Sequence, residues 1–301
     1  MQQTIAEKVS CTGVGLHSGA PVELTLLPAR ADSGVVIVRR EGSASTEIPA
    51  TIGAVVRSRR ATTLGHGQQA VGTVEHLLAA LYGLGVDNVR IVVDGPEFPV
   101  MDGSAASFVY LLRSAGLFTQ PAARRVVRVT RPIEVREGDR WIRAEPSADF
   151  RVSYGIDFDH PAIGRQRLEL QGRDPARFER EIASARTFGF LADVEALWAA
   201  GLAKGGSPQN TVLLDADTVV NGDGLRWPDE FVRHKVLDLY GDLALLGMPL
   251  AAHVRVERGG HALHLALVSA ILAAPDRWRL QGGGTRIQGA MESAARAFQA
   301  R

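Results

Sequence analysis

The chain has 301 residues, 46% of them hydrophobic and 22% charged, values of an ordinary globular protein long enough to bury one large or two modest cores. A formal net charge of +1 with no Lys/Arg run leaves no global case for a nucleic-acid partner. No apolar run approaches the roughly 18 residues of a membrane span, and the amino terminus MQQTIAEKVS lacks the basic start and apolar core of a signal peptide, so a cytoplasmic location is expected.

Residues 4–11 alternate like a strand and end at Cys11, the single cysteine. One cysteine excludes an internal disulfide and a thiolate zinc cluster, so any metal must be held by nitrogen and oxygen; Cys11 itself reads as a half-buried strand-end residue. The glycine-rich residues 12–19 fit neither the dinucleotide fingerprint nor the P-loop, and a turn is expected. Residues 22–27 and 34–38 are strands by alternation and β-branching. Residues 51–73 look irregular and carry Arg57, Arg59 and Arg60, either an anion site or a solvated loop. A helix from Thr73 ends in Gly83 and Gly85, and Glu75-His76 is its one charged pair. A strand over 88–93, a proline-rich loop and a helix over 104–115 follow.

The aperiodic stretch 119–125 carries Pro121 and is expected to separate a first domain, 1–122, from a second, 123–280. The second half repeats the plan: strands near 126–136, 140–145, 150–158 and 165–170, a helix over 175–184, a long helix after Pro228, a strand over 251–257 and a helix over 261–274. Strands first and two helices in each half suggest a duplication. Residues 190–214 interrupt the plan. Leu191, Val194, Leu197 and Trp198 form an apolar helical stripe there, which reads as core by default. Residues 281–301 are expected to form a flexible joint and a short amphipathic helix.

The long helix carries the chemistry. Pro228, Asp229 and Glu230 suit its start, and Gly247 with Pro249 its end. Apolar residues cover nearly its whole circumference, which marks a helix buried on most sides. At about 100° per residue, positions four and eight apart drift by only ~40° and ~80°, so His234, Asp238 and Asp242 share its one polar stripe. Buried imidazoles and carboxylates are expensive unless paired or bound to metal. His234 and Asp238, with Cα atoms roughly 6 Å apart, span one ion comfortably, whereas Asp242, about 12 Å from His234, belongs behind it. A third ligand must come from elsewhere, and His76 is the best placed of the remaining histidines. Two histidines and an aspartate with an open position form a catalytic zinc site, but histidine and aspartate four apart also make plain helix ion pairs, so spacing leaves both readings open. Glu75 would sit where a zinc hydrolase needs a base, or would simply face the helix dipole.

With these residues in view, the sequence resembles the UDP-3-O-acyl-N-acetylglucosamine deacetylase family, the zinc amidases of the committed step of lipid A biosynthesis. The matching segments are Gly13-Val14-Gly15-Leu16-His17-Ser18-Gly19, Thr73-Val74-Glu75-His76-Leu77, Phe98-Pro99-Val100-Met101-Asp102-Gly103-Ser104, Ile156-Asp157-Phe158-Asp159-His160-Pro161, Ala185-Arg186-Thr187-Phe188-Gly189-Phe190, His234-Lys235-Val236-Leu237-Asp238-Leu239-Tyr240-Gly241-Asp242 and Gly260-His261-Ala262-Leu263. They stand in family order from about residue 4 to 280.

The resemblance implies an α+β fold of two similar domains, each a mixed β-sheet covered by a layer of helices, with the helix layers packed together and the active site between them. It implies insertions at about 51–73 and 190–214, the second forming a hydrophobic passage for an acyl chain, against the default reading of its apolar stripe as core. Carried over position by position, His76, His234 and Asp238 match the ligands of one Zn²⁺. Glu75 matches the general base, His261 the acid that protonates the leaving amine, Asp242 its carboxylate partner and Thr187 the oxyanion support. Lys235, Phe158 and Phe190 match positions near the phosphate, sugar and uracil of the substrate. Leu16, Leu191, Val194 and Leu213 match the acyl passage, and Pro208 stands where relatives can carry an aromatic residue. The implied substrate is a small UDP-sugar bearing an acyl chain, hydrolysed to acetate and UDP-3-O-acyl-glucosamine by a monomer. Another zinc amidohydrolase, or a nucleotide-sugar or acyl-chain binding module without turnover, would share much of this pattern; intact Glu75 and His261 argue against the module, because binding alone requires neither.

Overall fold

The computed structural model describes residues 1–282. The first half runs through β1 (Gln2–Ile5), β2 (Val9–Val14), β3 (Pro21–Pro28), β4 (Val35–Glu41), β5 (Ala44–Pro49), β6 (Val55–Arg57), β7 (Thr63–Leu64), α1 (Glu75–Leu84), β8 (Val89–Val93), α2 (Ala106–Ser114) and β9 (Leu117–Gln120). The second runs through β10 (Val126–Val129), β11 (Ile133–Glu137), β12 (Arg140–Glu145), β13 (Arg151–Asp157), β14 (Arg165–Gln171), α3 (Pro175–Glu181), β15 (Phe188–Phe190), α4 (Val194–Ala199), β16 (Val212–Leu214), α5 (Glu230–Ala244), β17 (Leu250–Ala251), β18 (His253–Glu257), α6 (His261–Ala273) and β19 (Trp278–Gln281).

Each half builds a five-stranded mixed sheet, and the two sheets share one topology. The order β2-β3-β8-β4-β5 is matched by β11-β12-β18-β13-β14. In both, one parallel pair, β4 with β8 and β13 with β18, lies among antiparallel neighbours. In both, a long buried helix precedes the last strand of the sheet and another helix follows it: α1 and α2 in the first half, α5 and α6 in the second. The fold is therefore α+β, built twice from one plan.

Alternation explains which face of each sheet is covered. Val22, Leu24 and Leu26 of β3 and Val89, Ile91 and Val93 of β8 are buried, as are Val152, Tyr154 and Ile156 of β13 and Val254 and Val256 of β18. Helices α5 and α6 lie on the second sheet, α2 lies on the first, and α1 packs along α2 and, most extensively, along α5. All ten residues of α1 are buried, and Gly85 closes it in the left-handed conformation at φ 76°.

Several elements depart from the expected boundaries. The strand expected over 4–11 breaks at Ala6–Lys8, because β1 leaves the first sheet to pair antiparallel with β9, Gln2 opposite Gln120. Thr119 and Gln120, expected in an aperiodic linker, belong to that pair. The irregular segment 51–73 contains the β6–β7 hairpin, and β5 escaped notice because its first four residues, ASTE, are exposed on both faces and show no apolar alternation. The strand expected over 251–257 splits at Ala252, β17 pairing with β10 and β18 entering the second sheet. Strand β19 carries the chain past Leu280 by pairing with β10. The remainder of the expected tail, from residue 283, lies outside the described residues. No helix among the described residues is long and apolar enough to cross a membrane.

Candidate metal centre

The polar stripe of α5 faces α1. His234 Nε2 lies 3.3 Å from Asp238 Oδ1, one turn along the same helix, and His76 Nε2, from the first turn of α1, lies 4.0 Å from the same oxygen. The two imidazoles meet edge to face with ring centroids 5.1 Å apart. Each of the three residues is at most 3% exposed, and one potential ligand atom from each falls within 4.8 Å of the others. His234 Nδ1–H donates to the carbonyl of Ala185 at 3.0 Å, which leaves the Nε2 lone pair aimed at the cluster. Burial, reinforced by His234, holds His76 down to about 3, and burial also lowers His234, so both rings are neutral donors. Asp238 stays a carboxylate: burial pushes its proton affinity up, but the Lys235 ammonium at 2.8 Å and the His261 imidazolium overrule it. Two neutral imidazoles and one carboxylate are a donor set that fits a metal ion of the zinc type.

Glu75 and His261 stand beside this cluster. Burial, with Asp238 and Asp242 nearby, raises Glu75 to about 7 against the pull of His261. The amide of Thr62 donates to its Oε2 at 3.1 Å. His261, the first residue of α6, places Nε2 3.7 Å from Glu75 Oε1 and 3.9 Å from Asp238 Oδ2. Its Nδ1–H donates to Asp242 Oδ2 at 2.7 Å. Burial opposes a charge on this ring, yet Asp242 and Asp238, with Glu75 behind them, raise it to about 10. A buried acid-base pair with crossed proton affinities thus borders the three donors: a carboxyl that ionises late and an imidazolium that holds its proton.

Asp242 has more partners than the sequence suggested. Thr62 Oγ1 donates to its Oδ1 at 2.7 Å, and His264 Nδ1 donates to its Oδ2 at 2.8 Å. His264 offered one local signal, its position three residues after His261 on the same helix. Thr62 offered none, because it lies in a segment without periodicity.

A cavity of about 560 Å³ opens from these groups. Its lining includes every substrate position singled out in the sequence: Leu16, Phe158, Thr187, Phe190, Leu191, Val194, Leu213 and Lys235. Strands β15 and β16 pair in parallel, which sets Phe188 and Phe190 beside Val212 and Leu214. Phe158 meets Phe188 edge to face at 5.7 Å, forming an aromatic wall. The Leu191–Trp198 stripe is not core: Leu191 and Trp198 are 39% and 60% exposed, and Leu191, Val194, Leu197 and Trp198 all line the cavity. Thr187 is held through its backbone, donating to Gly103 O and accepting from the amide of Val212, both at 2.8 Å. Lys235 turns Nζ to Asp238 Oδ2 at 2.8 Å. Arg60 of the basic cluster also reaches the lining. Cys11 is half-buried in β2, and burial pushes its thiol up to about 11, which fits a packing residue rather than a nucleophile.

Comparison with known proteins finds relatives over most of the chain. Residues 2–273 match the family model described as UDP-3-O-acyl N-acetylglycosamine deacetylase. The UDP-3-O-acyl-N-acetylglucosamine deacetylase of Anaeromyxobacter sp. (strain Fw109-5) is 52% identical over 274 residues, covering 91% of this chain and 89% of its own. Proteins of the same name from Myxococcus xanthus (strain DK1622) and Acidithiobacillus ferrooxidans (strain ATCC 53993 / BNL-5-31) are each 47% identical, covering 93% and 92% of this chain and 88% and 91% of their own. A match of this extent, on a chain in which six of the seven family segments contribute residues to one cavity, shows that the protein belongs to the UDP-3-O-acyl-N-acetylglucosamine deacetylase family.

Proposed function

We propose that the cavity hydrolyses the acetamide of UDP-3-O-acyl-N-acetylglucosamine, releasing acetate and UDP-3-O-acyl-glucosamine, the committed step of lipid A biosynthesis. The observation that carries this reading is the placement of Glu75 and His261, 3.7 Å apart with opposed proton affinities, beside a buried set of two histidines and an aspartate. Zn²⁺ held by His76, His234 and Asp238 would supply Lewis acidity, acidifying a water and polarising the amide carbonyl. Glu75 accepts a proton from the attacking water, and its raised proton affinity matches it to that task near neutrality. Thr187, fixed by Gly103 and Val212, supports the oxyanion. His261 then donates from Nε2 to the departing glucosamine nitrogen, its charge maintained by Asp242 at Nδ1.

Leu16, Leu191, Val194 and Leu213 offer the apolar walls an acyl chain needs. Phe158 and Phe190 offer stacking surfaces for the uracil and sugar end, and Lys235 a cation for the diphosphate. A nucleotide-sugar substrate and a lone cysteine favour a cytoplasmic location. The direct test is acetate release from UDP-3-O-acyl-N-acetylglucosamine by zinc-loaded protein, before and after a chelator. Release that the chelator abolishes and zinc restores is expected; no release from the loaded protein would overturn the reading.

A further inference from the structure

Two histidines, not one, bond the carboxylate behind the acid. Asp242 is 0% exposed, and its Oδ2 lies 2.7 Å from His261 Nδ1 and 2.8 Å from His264 Nδ1. A carboxylate can only accept, so both Nδ1 atoms carry hydrogens. Oδ1 accepts from Thr62 Oγ1 at 2.7 Å. Three donors, two from α6 and one from the 51–73 segment, therefore leave Asp242 one orientation.

The chain of bonds continues to the second sheet. His264 Nε2 is 2.9 Å from the hydroxyl of Tyr154, whose ring is buried at the centre of β13. With Nδ1 protonated, neutral His264 accepts from that hydroxyl, and burial disfavours charge on both groups. Asp242, which can only accept, thus selects the tautomer of His264, and the Tyr154 hydroxyl satisfies the other ring nitrogen. The bond runs close under the backbone: a Cβ at Gly259 would fall 2.9 Å from the Tyr154 hydroxyl oxygen and 3.3 Å from His264 Nε2.

We propose that His264 is a positioning residue for His261, holding Asp242 through Nδ1–H while the Tyr154 hydroxyl donates to its Nε2. The proposal rests on the reading of His261 as the acid that protonates the leaving amine. Its role is separable from packing, because asparagine and glutamine place an amide N–H at different ring positions: the asparagine amide overlays Nδ1 and reaches Asp242, whereas the glutamine amide overlays Nε2 and addresses Tyr154.

The experiment compares kcat and KM of zinc-loaded His264→Asn, His264→Gln, Tyr154→Phe and His261→Gln with the parent protein, alongside Tm. His264→Gln is expected to lower kcat about 10-fold with KM within about twofold, and His264→Asn to recover most of that loss. Tyr154→Phe should lower kcat in the same direction by less. Parent-like kcat in His264→Gln, or equal losses in the asparagine and glutamine variants that follow Tm, would overturn the proposal. His261→Gln separates the two levels: if it keeps parent turnover, the reading of His261 fails, whereas a dead His261→Gln beside an unaffected His264→Gln removes only the role of His264.

Discussion

Gly241 of α5 packs against the backbone of Glu75 of α1, so closely that a Cβ on Gly241 would lie 2.9 Å from the Glu75 Cα and 2.8 Å from its carbonyl carbon. This contact carries Glu75 and His76 to His234 and Asp238. Gly241→Ala is therefore expected to push the helices apart, costing about 1–3 kcal/mol of stability and, through displacement of the base and a ligand, turnover on the order of 100-fold. Gly222→Ala, at a position with open space around it, serves as the control. Urea unfolding and acetate release read the two effects, and a fully active Gly241→Ala would show that the helices can separate without harm.

Glu75 and the metal ligands should separate cleanly. Glu75→Gln keeps all three donors and is expected to retain zinc while losing activity about 100-fold to 10,000-fold. His234→Ala should lose the metal itself. Elemental analysis beside turnover distinguishes them: undiminished deacetylation in Glu75→Gln would remove it from the role of base, and unchanged zinc in His234→Ala would sink the ligand assignment.

The rate should depend on pH as a bell. In the proposed reaction Glu75 acts as a carboxylate, and its proton affinity is raised to about 7, so activity is expected to fall as acid protonates it. In the same proposal His261 acts as an imidazolium raised to about 10, so activity is expected to fall again as base removes its proton. A bound cation favours the deprotonated form of each, so neither limb should lie above these values. The profile of kcat/KM in zinc-loaded protein checks this, and residual activity in His261→Gln should show no alkaline limb; an alkaline limb that survives there belongs to another group.

Arg186 and Glu230 tie the Thr187 loop to the start of α5. Both are buried, and Glu230 Oε1 accepts from the backbone amide and the Nε of Arg186, each at 2.9 Å. Arg186→Met leaves the carboxylate buried without its cation and should cost about 3–5 kcal/mol. Burial raises the proton affinity of Glu230, but Arg186 and the amides hold it net below the ordinary range. The pair's contribution is therefore present above the unfolded carboxylate pKa and is lost as pH falls through the lower folded value. Urea titrations at neutral and acidic pH should show the penalty of Arg186→Met shrinking on acidification. A constant penalty would mean that ionisation of Glu230 contributes nothing.

The amino-acid sequence by itself determined what one segment decides alone. The period of α5 put His234, Asp238 and Asp242 on one stripe, because helix geometry fixes side-chain direction within a segment. Alternation located most strands, and the glycine after Leu84 ended α1 where expected. Family motifs added roles to residues that spacing left ambiguous, Lys235 and Thr187 among them. Pairing partners were beyond reach: nothing within residues 251–257 says that Ala251 and His253 join different sheets. The meeting of α1 with α5 was likewise a tertiary decision, made where Gly241 lets two backbones touch. Thr62 and His264 found Asp242 for the same reason. They are far apart along the chain, and only packing α6 and the 51–73 segment around a buried carboxylate makes them its donors. Spacing along a helix is local geometry; the cost of burying a charge is set by everything packed around it.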